Sequence, residues 1–324
     1  MPNALLEVKN VSKYFPIQGG LLKRPRAYVR AIERVSFQLQ PGETLGVVGE
    51  SGSGKSTLGR TIIRLYDPTE GSILYQGHDL ARLNQKALRP YRRHIQMVFQ
   101  DPYASLNPRM TIGALIEEPL KLHTKLSRQD RQEEVRRLLK IVGLSPDAHT
   151  RYPHEFSGGQ RQRIGIARAL SIKPSIIIAD EPVSALDVSI QAQVINLMMA
   201  LRETFNLAYI FIAHDLSVVK HISDRVMVMY LGHVVELADK KELFRHPLHP
   251  YTEALLFSVP EPNPHKKKER IVLSGDIPSA ANPPQGCVFH TRCPKAMNVC
   301  KEVKPVWQEV SPRHWTACHL HTKQ

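Results

Sequence analysis

The 324-residue chain has no apolar run approaching the roughly 18 residues that a membrane-spanning helix needs. Its first residues, Met1 to Glu7, show neither a basic leader nor a long apolar stretch, which argues against a secretion signal. These absences point to a soluble, cytosolic protein. Cysteine is scarce: there are four, all in the last 40 residues, and a cytosolic location disfavours structural disulfides among them. The basic residues lack aromatic company. Lys23, Arg24, Arg26, Arg89, Arg92, Arg93 and Lys266 to Lys268 are spread along the chain, unlike a dedicated nucleic-acid groove. The net charge of +14 is therefore read either as a solvated basic surface or as complementing nucleotide, acidic lipid or nucleic acid.

Apolar material makes up 42% of the chain, enough for a real core, and the length suits one large domain with a smaller appendage. Leu6-Glu7-Val8 and Val35 to Leu39 alternate as half-buried strands do, with a polar, basic loop expected between them around Gly19-Gly20 and Lys23-Arg24-Pro25. Thr44 to Val48 and Ser175 to Ala179 read as buried parallel strands, and Leu207 to Ala213 as another. Helices are expected over Thr57 to Leu65 and Ser189 to Thr204. A mostly helical insert is expected from Asp101 to about Arg151, and Val226 to Tyr230 with His233 to Leu237 should form a hairpin. This order implies an α/β fold: a parallel sheet wrapped by helices. Beyond Leu248 proline becomes dense and periodicity fades, so a boundary falls near His249, and the tail needs docking or a staple.

Three motifs carry chemistry. Gly49-Glu50-Ser51-Gly52-Ser53-Gly54-Lys55-Ser56-Thr57 fits the phosphate-loop pattern and lies between a strand and a helix, the context that pattern requires. Its glycines let backbone N–H groups face phosphates at a helix N-terminus. Lys55 should reach the β- and γ-phosphates and Ser56 should ligate Mg²⁺. The apolar strand Ile176 to Ala179 ends in two acids, with Asp180 suited to Mg²⁺ and Glu181 to polarising an attacking water as general base. In the third motif, Phe156 to Arg163, Ser157, Gly158, Gly159 and Gln160 head a helix and form a second anion site. A kinase would leave that second site unexplained.

The third motif resembles the signature sequence of ABC-type ATPases, and loop, signature and paired acids stand in that family's order. The resemblance implies a P-loop ABC nucleotide-binding domain with a parallel-sheet core, a β-rich N-terminal part and a helical subdomain over about 101–165. It implies that two subunits sandwich ATP, each offering its signature to the other's nucleotide. By the same resemblance Gln100 senses Mg²⁺ and the attacking water, Ser184-Ala185-Leu186-Asp187 crosses the dimer interface, and His214 contacts the γ-phosphate. Phe15, with Tyr14 as the alternative, stacks on adenine.

The tail narrows the resemblance. His249 to Leu256, Leu273 to Ser279 and Asn282 to Cys287 are similar to the C-terminal extension of dipeptide and oligopeptide permease ATPases, most of all the F-type subunits. Residues 1–248 would then be the ATPase domain and 249–324 the permease-class extension. Implied partners are a second homologous ATPase, two transmembrane permease subunits and an extracytoplasmic peptide-binding protein, at the cytoplasmic face of a bacterial inner membrane. Another cargo, such as nickel, and a nucleic-acid-linked ABC ATPase are the alternatives. Cys287, Cys293, Cys300 and Cys318 lack the paired spacing of zinc knuckles. Four thiolates can hold a [4Fe–4S] cluster, some members of the class are described with one, and zinc or bare thiols are the other readings.

Overall fold

Alternation and turn chemistry account for most of the strands in the computed structural model, which describes residues 4–19, 24–257, 273 and 275–322. Two compact units result: one comprises Met1–Leu39, Thr44–Arg82 and Ala213–Gln324, the other Gln40–Glu43 and Leu83–Ile212.

The first unit opens with two long antiparallel strands, Leu6–Gly19 and Arg24–Leu39, paired from Leu6↔Leu39 to Gly19↔Arg24 through several register shifts. Most of the expected basic loop is therefore strand, because cross-strand pairing continues to Arg24 despite the polar sequence. Gly20 and Lys23 lie outside the described residues. Glu70–Tyr75 adds on the other side of Leu6–Gly19, and His78–Asp79 closes a four-stranded antiparallel sheet.

The same unit holds Thr44–Val48, buried along its whole length and paired in parallel with Arg225–Tyr230. Burial on both faces explains why it reads as an unbroken apolar run. Arg225–Tyr230 turns into His233–Asp239 as expected, through Leu231 and Gly232 with φ of 45° and 80°. Two positive φ values are the hallmark of a type I′ hairpin turn, whose twist matches that of the flanking strands.

The tail is not wholly irregular. Gln308–Ser311 and His314–Thr316 form a hairpin, and the second of these pairs with His233–Asp239. The fully buried Glu236 carboxylate anchors that junction, facing His314 Nε2 at 2.7 Å and accepting the N–H groups of Leu248 and His249 at 2.8 and 2.9 Å. Docking thus supplies what a staple would have supplied. The lysine run 266–268 lies outside the described residues.

The second unit contains three parallel strands, Ile95–Val98, Ile176–Asp180 and Ala208–Ile212, with the middle one paired on both sides. Its helical part includes Ile112–His123, Arg128–Ile141 and Gly158–Leu170. Thr111 caps the first of these and a Ser127–Asp130 capping box the second, so their starts are written locally in the sequence. Val188–Phe205 follows Asp187 and ends on Asn206 in the left-handed conformation.

Candidate nucleotide-binding and hydrolysis site

In the first unit, the strand Thr44–Val48 delivers the chain into the loop Gly49 to Gly54, and the helix Lys55–Ile62 carries it out. Gly54 is the helix N-cap at φ 99°, and no side chain caps that end. A Cβ on Gly54 would lie 2.2 Å from the Ala31 carbonyl oxygen, and one on Gly49 would lie 2.1 Å from that of Met229. Only glycine lets the loop curl so close to its neighbours. The hairpin turn supports the loop from below, since Gly232 N–H donates to Ser53 C=O at 3.0 Å.

Lys55 is buried, and its ammonium group folds back over the loop. It donates to the carbonyls of Gly49 and Glu50 at 2.7 and 2.9 Å and reaches Ser53 Oγ at 3.4 Å. A curled backbone with a lysine held across it is an anion cradle. Ser51 and Gly52 are exposed at its rim, while Ser56 and Thr57 are half-buried in the first helical turn. Ala213 N–H donates to Val47 C=O at 3.1 Å, which sets the exposed His214 just past the strand that feeds the loop. Phe15 is half-buried, its ring edge-on to Tyr66 at 5.2 Å with Lys13 Nζ 5.0 Å from its centroid.

In the second unit, Asp180 ends its strand fully buried, and Glu181 follows in the left-handed region at φ 46°. Glu181 N–H donates to Ile212 C=O at 3.0 Å, which fixes that sparsely populated backbone. Gln100 Nε2 donates to Glu181 Oε2 at 3.1 Å, so two residues 81 apart in sequence meet.

The signature helix Gly158–Leu170 begins with Ser157 as its N-cap. Ser157 Oγ accepts Gln160 N–H at 3.4 Å, and Gln160 Oε1 accepts Ser157 N–H at 3.0 Å, a reciprocal capping box. Gly159 serves packing: a Cβ there would lie 2.3 Å from Ile190 Cγ2, and one on Gly158 would lie 3.3 Å from Leu186 Cδ2. The signature is thus seated on the segment that contains Leu186 and Asp187. Next to it, Arg161 is buried, donates to Pro153 C=O at 2.7 Å and stacks 3.6 Å from the Tyr103 ring centroid.

Sequence reasoning missed the grip on Glu50. Arg292 Nη1 and Nη2 donate to its two carboxylate oxygens at 2.6 and 3.1 Å, and its N–H donates to Tyr251 Oη at 2.8 Å. The alternation-free, proline-rich tail carries no periodic signal that could have announced either partner.

The four cysteines are free thiols in one neighbourhood, with Cys287, Cys300 and Cys318 buried. Burial pushes the Cys287 and Cys318 thiols up to about 11 and raises Cys293, and neighbouring cysteines add to each shift. Among the described residues no group of three or more His, Cys, Asp or Glu side chains is placed to hold a metal ion. The expected iron–sulfur cluster and the zinc alternative therefore gain no support from the described residues.

Fold and loop together define a P-loop ATPase of the ABC type. The chain matches the family described as "ABC transporter" over residues 32–184 and "Oligopeptide/dipeptide transporter, C-terminal region" over 235–300. It is 61% identical over 321 residues to the oligopeptide transport ATP-binding protein AppF of Bacillus subtilis, covering 98% of each chain. It is 54% identical to a probable peptide ABC transporter ATP-binding protein, y4tS, of Sinorhizobium fredii, covering 99% of this chain and 91% of that one. Among solved structures, the ATP-binding cassette MJ0796 in a dimeric post-hydrolysis state with ADP and Pi superposes with a TM-score of 0.64 at 29% identity, covering 72% of this chain and 98% of that one. The chain belongs to the ABC transporter ATP-binding proteins that carry the oligopeptide/dipeptide transporter C-terminal region, and its activity is ATP hydrolysis coupled to transport.

Proposed function

We propose that this chain is the ATP-hydrolysing subunit of an ABC importer for dipeptides or short oligopeptides. The observation that carries this reading is the joining, in one chain, of an ABC cassette to the oligopeptide/dipeptide transporter C-terminal region. The helices of the described residues include none long and apolar enough to cross a membrane, so the channel belongs to separate permease subunits. The chain works with two of these, a second homologous ATPase and an extracytoplasmic peptide-binding protein, at the cytoplasmic face of the inner membrane. Its domains are 1–248 for the cassette, with the helical subdomain at about 101–165, and 249–324 for the extension.

In this reading Gly49 to Thr57 bind the phosphates of ATP and Phe15 stacks on the adenine. The serine hydroxyl, amide and carboxylate of Ser56, Gln100 and Asp180 are hard oxygen donors that suit Mg²⁺, which supplies charge neutralisation when bound. Glu181 accepts a proton from the water that attacks the γ-phosphorus, as the bond to the bridging oxygen breaks. Gln100 orients that water and His214 contacts the γ-phosphate. Ser157 to Gln160 complete the site of the partner ATPase, so hydrolysis is productive only in the pair. The iron–sulfur reading rests only on four thiolates being a suitable ligand set, and a colourless, iron-free anaerobic preparation retires it.

Co-purification with the membrane subunits, followed by an ATPase assay with and without peptides, tests the function. Stimulation by short peptides is expected. Stimulation by DNA or RNA without the permease, or by nickel alone, would overturn it.

A further inference from the structure

Among the described residues, the tail grips the phosphate loop at Glu50. Every polar group of Glu50 is engaged: its carboxylate by Arg292, its N–H by Tyr251 Oη, and its carbonyl by Lys55 Nζ at 2.9 Å and Ser53 N–H at 3.2 Å. Two of those holds come from the loop itself, and two come from residues 201 and 242 positions away. The distant holds are themselves rigid. Tyr251 is fully buried, its ring 4.8 Å from Tyr230 and 5.3 Å from Phe289 between centroids. Arg292 is 8% exposed, lies 5.9 Å from the Tyr230 ring centroid, and sits on a turn closed by its N–H to Phe289 C=O at 3.0 Å.

A bidentate arginine–carboxylate pair fixes both the position and the plane of the carboxylate, which a single contact does not. With Glu50 Cα fixed at one end and Gly54 at the other, the backbone that would receive phosphate is held in shape before nucleotide arrives. Preorganisation of that kind appears as affinity, because the loop need not be ordered on binding. We infer that Arg292, assisted by Tyr251, is a positioning residue for the nucleotide site, so the C-terminal extension completes the phosphate loop of its own chain.

The inference rests on the ATP-site reading above, and the full-length chain, co-purified with its partner ATPase and membrane subunits for the kinetic measurements, tests both. Nucleotide affinity, KM for MgATP, kcat and Tm are measured for the unaltered chain, Arg292→Ala, Arg292→Lys, Glu50→Ala, Tyr251→Phe and the Arg292→Ala/Glu50→Ala double variant. Arg292→Ala is expected to raise KM about tenfold with kcat within about twofold, the pattern of lost uniform binding. Arg292→Lys, which keeps the charge but loses the fork, should recover about half of that loss on a logarithmic scale. The double variant should be no worse than Arg292→Ala, because both changes break one interaction. Tyr251→Phe should raise KM about threefold through the lost acceptor. A folded Arg292→Ala with unchanged KM, or a double variant whose effects add, overturns the inference, whatever happens to Tm. If Arg292→Ala does not fold, Arg292→Lys and Tyr251→Phe decide it: unchanged KM in both overturns it. An unaltered chain that binds no MgATP sinks the ATP-site reading instead.

Discussion

Two helix starts in this protein look alike in sequence and differ in construction. Lys55–Ile62 follows Ser53-Gly54, Gly158–Leu170 follows Ser157 and opens on two glycines, and both read as anion sites. At the first, no side chain caps the helix, and Gly54 holds a left-handed conformation against the Ala31 carbonyl. At the second, Ser157 and Gln160 cap one another, and Gly159 is required for the approach of Ile190. One glycine answers a demand of the backbone, the other a demand of packing. The loop is braced from outside by the tail, whereas the signature start is closed by its own side chains.

The sharpest separation between the two should come from Glu181→Gln. Its kcat is expected to fall about 10²–10⁴-fold, the range for loss of a general base, with MgATP still bound. Normal single-turnover hydrolysis in that variant would remove Glu181 from its role.

Next in size is the glycine pair. Gly54→Ala meets backbone at 2.2 Å and a positive φ, so no repacking relieves it, and nucleotide binding should be lost along with about 3 kcal/mol or more of stability. Gly159→Ala meets a side chain, so it should cost about 1–3 kcal/mol and be relieved by adding Ile190→Ala. Denaturant unfolding of the three variants checks this. Equal rescue of both glycine variants would erase the distinction.

Acid should act on the loop's side through the tail. His249 is fully buried, its Nδ1 accepts Tyr251 N–H at 3.1 Å, and burial lowers its pKa to about 4, as it does that of His233. In the unfolded chain histidine titrates near 6.5, so as pH falls the unfolded state takes protons first. The stability held above about pH 6.5 is therefore lost progressively toward pH 4. Tm should drop across that window, and His249→Gln should flatten the profile. An identical slope in the variant would exclude His249 as a source.

The smallest effect is expected at the signature cap. Ser157→Ala should cost about 1 kcal/mol of stability through the lost cap, measured as a shift in denaturant midpoint. A neutral change would show that the capping box is not holding the helix.

Locally encoded features were legible. The phosphate loop, the hairpin at Leu231-Gly232 and the buried strands each depend on neighbours within a few residues. Motif order marked Gln100 and Glu181 separately, and only the fold brings them into contact. Gly19, Arg24 and Pro25 read as loop in the sequence because their pairing, broken by register shifts, is carried by partners on the other strand. The cysteines were legible as a group, but their spacing in sequence does not set how the thiols face one another.

By itself the sequence determined an α/β ATPase with its glycine-rich loop, its paired acids and its signature helix, because those depend on short-range backbone geometry and side-chain type. Only the tertiary structure decided that Glu236 docks the tail, and that Arg292 and Tyr251 reach back to Glu50. Such contacts join residues from 13 to 242 positions apart with no periodicity to mark them. They exist because folding buries charged and polar groups that must then find partners.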